Sequence, residues 1–165
     1  MNYSLNMKKF SILFLQVVVV LVGVIALIIL IRFPLTEGRA QNLDLFHIYF
    51  DPFILYGYAS SIAFFVALYK AFRVLVNIRQ NRLFTPDSIR MLKNIKSCAI
   101  LTAILIAGAG IYIRIFHEQG EDPAGFLGLS MIMTFAAIAV AVAVAVLERI
   151  LQKAVDMKNE NDLTI

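Results

Sequence analysis

Apolar positions along the chain fall into four long blocks separated by polar segments. The blocks cover residues 10–31, 53–76, 97–116 and 126–147. The hydrocarbon core of a bilayer is about 30 Å thick and takes about 20 helical residues to cross. Lipid offers no partner to unpaired backbone N–H and C=O groups, so spanning segments of this kind are helices. The pattern predicts an all-α integral membrane four-helix bundle, formed as a single domain over residues 1–165.

Two of the blocks contain features that interrupt this simple pattern. Block 53–76 includes Lys70 and Arg73, whose long stems can lie along the bilayer while their charges reach the interface. Residues 139–146 read AVAVAVAV, an alternation typical of a strand. A single strand cannot close a barrel, and this run lies inside a longer apolar block. The helical interpretation therefore holds for both blocks.

The polar segments next to the blocks also have helical signals. The sequence LFTPDSIRMLKNIK at 83–96 contains a helix start, with Thr85 as cap, Pro86 at the first position and Asp87 near the positive end of the helix dipole. A turn is predicted at residues 80–82, before this start. Helical extensions on the cytoplasmic side are predicted at about 70–79, 86–96 and 148–158. On the last of these, an apolar stripe contains Leu147, Ile150, Leu151 and Ala154, while Glu148 is expected to face away.

Small residues recur on one face of the third and fourth blocks. The residues are Ala103 and Ala107 in the third block, and Ala137, Ala141 and Ala145 in the fourth. Small side chains allow two membrane helices to approach closely. We therefore expect these faces to pack against each other, within one chain or between two copies in a homo-oligomer. The simpler alternative is that alanine only fills the lipid-facing surface.

The charge distribution predicts the orientation in the membrane. The chain carries a net charge of +4 and has a mean hydropathy of +0.82. With the N-terminus in the cytoplasm, 12 of the 15 Lys and Arg residues fall inside and 3 outside. This bias places both termini and the central loop on the cytoplasmic side of the plasma membrane. Anionic lipid heads attract such basic loops, and no aromatic-basic interleaving indicates direct nucleic-acid binding.

Candidate chemistry is sparse. The sequence has no nucleophile motif, phosphate loop or metal-ligand spacing, so we expect no enzyme activity, no catalytic residue, no metal and no cofactor. The single Cys98 excludes an internal disulfide. The predicted outer loops combine both histidines with acidic residues, a set that suits a divalent cation or a cationic peptide. A solvated acidic surface is the simpler interpretation of this set: Asp44, His47, Asp51, His117, Glu118, Glu121 and Asp122.

The stretch LFTPDSIRMLKNIKSC and the ending ENDLTI resemble the YoaS-like family of small bacterial membrane proteins, a domain of unknown function. The resemblance is carried by Phe84, Thr85, Leu92, Ile95 and residues 160–164. Asp87-Ser88 stands where the family often has Glu-Asn. The resemblance implies a four-span protein of the bacterial plasma membrane. Family members are often encoded beside a small helix-turn-helix regulator, which implies a regulatory pairing.

These observations favour a membrane-anchored regulatory or interaction module that binds a cytoplasmic protein, such as a small helix-turn-helix regulator. The expected contact residues are Phe84, Thr85, Leu92, Ile150, Leu151, Asp162, Leu163 and Thr164. One alternative is an immunity or resistance protein that meets an extracellular cationic peptide at the acidic outer loops. A second is a transporter or channel subunit, although the blocks contain no carboxylate for proton coupling and no interrupted helix pair.

Overall fold

The computed structural model describes residues 2–36, 49–116 and 123–162, and four long helices account for most of them. They are α1 (Asn2–Thr36), α2 (Pro52–Arg79), α3 (Pro86–Phe116) and α4 (Ala124–Asp162). Each helix contains a stretch long and apolar enough to cross a membrane. The AVAVAVAV run lies within α4 and is helical. The predicted all-α architecture with four membrane-spanning helices is confirmed.

The helices pack mainly on their neighbours in the chain. The contact between α3 and α4 is the most extensive, that between α2 and α3 is next, and α1 packs on α2 over a smaller area. Large side chains of α1 are strongly exposed, including Phe10 at 72% and Phe14 at 62%. Lipid is the natural environment for such surfaces. The first helix is therefore the most loosely attached of the four.

Two helices begin with a capping residue followed by proline. Asp51 accepts hydrogen bonds from the backbone N of Phe53 at 2.8 Å and of Ile54 at 3.3 Å, and α2 starts at Pro52. The backbone N of Ser88 donates to Thr85 Oγ1 at 3.4 Å, and α3 starts at the following Pro86. Proline loses nothing at this position because the first N–H groups of a helix have no partner within it. The predicted start of α3 is confirmed, and Asp51 serves as a helix cap.

A tyrosine on α2 compensates for a proline near the end of α1. Pro34 lies inside α1 and has no N–H, so the carbonyl of Leu30, four residues earlier, lacks its usual partner. The hydroxyl of Tyr58 donates to that carbonyl oxygen at 3.4 Å. An unpaired carbonyl within lipid costs free energy, so this contact both satisfies the backbone and fixes α1 to α2.

Small residues of α3 and α4 are buried, and one of them lies at a close contact between the two helices. Ala103 and Ala141 are buried, with exposed fractions of 5% and 6%. Gly110 of α3 lies against Ser130 of α4, because a Cβ added to Gly110 would sit 2.8 Å from Ser130 Oγ. The other small residues of the predicted faces, Ala107, Ala137 and Ala145, are half-buried. The α3–α4 interface thus resembles the small-residue packing that membrane helices use.

Candidate functional site

One end of the structure is rich in charged residues, and we call it the polar end. It comprises α2 from Lys70, the 80–85 connection, α3 as far as Lys96, and α4 from Leu147. Between residues 70 and 96 one acidic residue, Asp87, faces seven basic ones: Lys70, Arg73, Arg79, Arg82, Arg90, Lys93 and Lys96. Lys96 Nζ lies 2.6 Å from Glu148 Oε2, with side chains 28% and 19% exposed. This ion pair joins α3 to α4 where the apolar spans give way to charged sequence.

A buried hydroxyl network fixes the turn between α2 and α3. Ser88 is completely buried, and its Oγ accepts a hydrogen bond from Asn77 Nδ2 at 3.1 Å. Ser88 Oγ also lies 3.3 Å from the carbonyl oxygen of Arg82, to which it donates, and 3.2 Å from Thr85 Oγ1. Asn81 adopts a left-handed conformation with φ of 58°, which asparagine tolerates better than most residues. The turn is therefore held in one conformation by partners on both helices.

An apolar cluster lies directly beneath this turn. Its buried members come from α2, α3 and α4 and are Val74, Met91, Leu92, Ile95 and Leu151. Ile89 packs against the cluster, and Ala99 one turn beyond it is also buried. The apolar face formed by Ile89, Leu92, Ile95 and Ala99 is therefore covered within the chain. The cover comes from both α2 and α4.

The apolar stripe predicted on α4 is wrong in its register, because its residues divide between two faces. Leu151 and Val155 face inward, with exposed fractions of 5% and 6%. Leu147 and Ile150 face outward and are 54% and 60% exposed. Consecutive helical residues are about 100° apart, and because Leu151 points into the cluster, Ile150 is turned towards the outside of α4. Glu148, predicted to face away, instead lies half-buried against Lys96.

The outward face of α4 continues beyond Ala154, the last residue of the predicted stripe. Met157 is 59% exposed, and Ala154 between it and Ile150 is half-buried. Leu147, Ile150, Ala154 and Met157 are spaced three, four and three residues apart, which is the spacing of a coiled-coil seam. We call these four residues the outer seam. Exposed Lys153 and Lys158 flank it.

The predicted contact residues are not brought together as one surface. Leu92 and Leu151 belong to the buried cluster. Because they are buried, they are not available to contact a partner, which corrects the prediction for these two residues. Thr85 is half-buried and occupied in capping α3, whereas Phe84 and Ile150 are 53% and 60% exposed. Asp162 is the last residue of α4, and Leu163 and Thr164 lie outside the described residues.

The acidic loop residues fall mostly outside the described ranges. These are Asp44, His47, His117, Glu118, Glu121 and Asp122. Their suitability for a cation or a cationic peptide stays a prediction. Within residues 2–36, 49–116 and 123–162, no group of three His, Cys, Asp or Glu side chains is arranged to hold a metal ion.

Comparison with known proteins places the chain in a family. Residues 12–165 match the family described as "Protein of unknown function (DUF2975)". The chain belongs to this family. It is also 36% identical, over 163 residues, to the uncharacterized membrane protein YoaS of Bacillus subtilis (strain 168), with 96% of this chain and 100% of the relative covered. No solved structure matches the chain. This DUF2975 member is thus a multi-pass bacterial membrane protein, as the resemblance implied.

Sequence reasoning missed two parts of the polar end. It did not include Val155 in the inward face or Met157 in the outward one, although the two series 151–155 and 147–150–154–157 both have helical spacing. It also missed the pairing of Asn77 with Ser88, which joins residues eleven positions apart on different helices. No local signal marks such a pair.

Proposed function

We propose that this DUF2975 protein is a membrane-anchored interaction module, and that its outer seam binds an acidic amphipathic helix of a cytoplasmic protein. The observation that supports this is an apolar seam exposed on a charged part of α4. With 39 residues, α4 is about 58 Å long, whereas the hydrocarbon core is about 30 Å thick. Its last turns therefore project beyond the lipid. The proposal is one of binding rather than catalysis.

The apolar surface exposed on this extension of α4 favours contact with another apolar surface, because it lies in water. Leu147 is followed at once by Glu148 and Arg149, so Ile150 and Met157 lie within charged sequence. Contiguous apolar surface in water favours association with another protein. The inward face of the same helix is already buried on α2 and α3, which leaves the outer seam as the unpartnered face. A helix with matching a and d positions is the natural complement.

Charge favours a different protein over a second copy. Two copies in one membrane would align their α4 helices in parallel, which brings Lys153 of one helix near Lys158 of the other. Like charges at these flanking positions disfavour pairing. An acidic partner helix would instead place its carboxylates beside both lysines. The small helix-turn-helix regulator implied by the family resemblance is one candidate for this partner.

Binding to a cytoplasmic protein requires the polar end to face the cytoplasm. The excess of Lys and Arg in 70–96 supports this orientation through the positive-inside rule. The test uses a Cys98→Ser background with Arg82→Cys or Asp44→Cys, labelled on intact cells with a membrane-impermeant thiol reagent. We expect Asp44→Cys to be labelled on intact cells. Arg82→Cys should be labelled only after the cells are lysed. The reverse pattern would invert the orientation.

Partner binding is tested with designed helical peptides on the purified full chain. Two peptides share the same leucine and isoleucine seam and differ in carrying Glu or Lys at the flanking positions. We expect the acidic peptide to bind about tenfold or more tightly than the basic one, a difference of about 1.4 kcal/mol. Ile150→Ser and Met157→Ser should each weaken this binding, because they remove apolar area from the seam.

Asn159→Ser is the matched control, since Asn159 is exposed on α4 but lies off the outer seam. It should bind the acidic peptide as the wild-type chain does. Equal binding of the two peptides, or no loss with Ile150→Ser, would contradict the proposal. Photo-crosslinking from position 150 in cells that yields solely a dimer of this chain would assign the seam to a second copy instead.

A further inference from the structure

A cavity of about 380 Å³ lies between the four helices at the end opposite the polar end. Its wall takes five residues from α1 between Ala26 and Pro34, nine from α2 between Phe53 and Phe65, four from α3 between Thr102 and Ala109, and four from α4 between Phe126 and Met133. The space arises because α1 packs mainly on α2 and leaves a gap towards α3 and α4. Pockets that hold ligands in proteins have volumes of roughly 300–1,000 Å³, so this cavity is large enough to be occupied.

The cavity wall is apolar and uncharged. Aromatic rings contribute much of it, including Phe33, Phe53, Phe64 and Phe126, and the described wall contains no Asp, Glu, Lys, Arg or His. An ionised ligand would therefore lose its hydration without gaining a partner. An occupant of this cavity is expected to be uncharged in the part that enters.

The serine and threonine hydroxyl groups in the wall are not available to form hydrogen bonds with a ligand in the cavity. Ser61 Oγ donates to the carbonyl of Tyr58 at 2.7 Å, and Ser130 Oγ donates to that of Leu127 at 2.9 Å. The Oγ of Ser60 and the Oγ1 of Thr102 have no hydrogen-bond partner, yet each exposes less than 1 Å². A ligand that needs several hydrogen bonds finds few here, whereas a hydrocarbon chain needs none.

The length of the cavity matches one leaflet of a bilayer. At about 1.5 Å per residue, the wall extends about 18 Å along α2 and about 12 Å along α1. Half of a hydrocarbon core is about 15 Å. Ile29 of α1 and Leu129 of α4 belong to the wall and are also 60% and 59% exposed, so they lie at its rim. An acyl chain can therefore enter sideways from the surrounding lipid.

We propose that this cavity binds one acyl chain of a phospholipid from the leaflet at this end of the four helices. The acyl chain fills the gap beside α1. It supplies apolar contacts where α1 does not reach α3 and α4. It differs from the lipid that coats the outer surface, because residues of all four helices line the space that it occupies. This inference is independent of partner binding at the outer seam, which lies at the other end of the molecule.

The first experiment fills the cavity with a side chain. Gly57 belongs to the wall, and a Cβ added there meets no atom within 4 Å, so Gly57→Phe can be accommodated. Gly128→Phe is the matched control, because Gly128 also has no atom within 4 Å but lies outside the wall. Native mass spectrometry then counts the phospholipids retained by the full chain in mild detergent. We expect one retained lipid in the wild type and in Gly128→Phe, and about tenfold lower occupancy in Gly57→Phe.

A second experiment does not depend on how Gly57→Phe folds. The chain has no tryptophan, so Phe64→Trp places a single fluorescent reporter in the wall. Phe135→Trp is its control, since Phe135 is 76% exposed on α4. The proteins are reconstituted with phosphatidylcholine whose acyl chains carry bromine, which quenches tryptophan on contact. We expect the brominated lipid to quench the tryptophan fluorescence of both variants. After dilution into unlabelled lipid, the fluorescence of Phe64→Trp should recover more slowly than that of Phe135→Trp.

Each remaining outcome would overturn the proposal. Equal lipid retention by Gly57→Phe and the wild type would show that the bound lipid lies elsewhere. No quenching of Phe64→Trp would show that no acyl chain enters. A retained molecule whose mass identifies an isoprenoid or a quinone would assign the cavity to a different ligand.

Discussion

The polar end and the membrane-spanning part of this protein bury different kinds of residue. The buried cluster at the polar end is built from large side chains, with Leu92 and Leu151 exposed by 6% and 5%. In the spans, alanines such as Ala103 and Ala141 are buried, while Phe135 is 76% exposed. Water drives large apolar side chains together, but lipid accepts them as readily as the protein interior does. The same helices therefore pack by two rules along their length.

This comparison predicts unequal effects for one substitution at two positions of α3. Leu92→Ala removes a side chain from the buried cluster and should lower the free energy of unfolding by about 2–5 kcal/mol. Leu101→Ala removes the same side chain from a position that is 47% exposed within the span, and should have a much smaller effect. Thermal unfolding in detergent measures both. Equal losses would mean that the buried cluster and the lipid-facing surface of the span do not differ in this way.

The close approach of α3 and α4 predicts the next largest effect. Gly110→Ala places a Cβ 2.8 Å from Ser130 Oγ, and such overpacking costs roughly 1–3 kcal/mol. Gly128→Ala meets no atom within 4 Å and should instead stabilise α4, because alanine is favoured over glycine in helices by roughly 0.5–1 kcal/mol. Thermal unfolding of the two variants should therefore shift in opposite directions.

Adding Ser130→Ala to Gly110→Ala checks the cause. It removes the Oγ and leaves a Cβ at 3.5 Å, which is an ordinary contact. We expect much of the lost stability to return. No recovery would attribute the loss to something other than this contact.

The pairing of Tyr58 with the Leu30 carbonyl predicts a coupled effect within the lipid region. Tyr58→Phe leaves that carbonyl unpaired and should cost about 1 kcal/mol of unfolding free energy. Pro34→Ala restores the N–H that the carbonyl otherwise lacks. In that background Tyr58→Phe should cost clearly less. A double-mutant cycle measures this coupling, and strictly additive effects would show that Pro34 is not the reason for the contact.

The ion pair between Lys96 and Glu148 predicts the smallest effect. It lies at the boundary between the two regions and is partly exposed, so Lys96→Gln should cost about 0.2–1 kcal/mol. Lys93→Gln is the control, because Lys93 is exposed one turn away on α3. Raising the salt concentration should reduce the difference between the two variants. A difference that does not respond to salt would argue against an electrostatic origin.

Much of the fold could be predicted because its signals are local. Four apolar blocks predicted four spanning helices, and the Thr85-Pro86 pair predicted the start of α3. The inward face of α4 was harder to predict. Leu147, Ile150, Leu151 and Ala154 are all small or apolar, and the choice between two overlapping helical faces depends on where α2 and α3 lie. The neighbouring helices turned Leu151 inward and left Ile150 outside.

The sequence by itself determined the solvent of each segment. Twenty or so apolar residues in a row require lipid, and charged residues end such a run because burying their charges there is costly. Those properties belong to the residues and need no knowledge of the fold.

Tertiary structure alone decided how the helices meet. It placed Asn77 beside Ser88, Tyr58 beside the carbonyl freed by Pro34, and Gly110 against Ser130. It also left the cavity beside α1 and the outer seam on α4. These contacts join residues far apart in the chain, and lipid exerts little force on which apolar faces pair. Shape and hydrogen bonding selected the pairs, and both exist only once the helices are side by side.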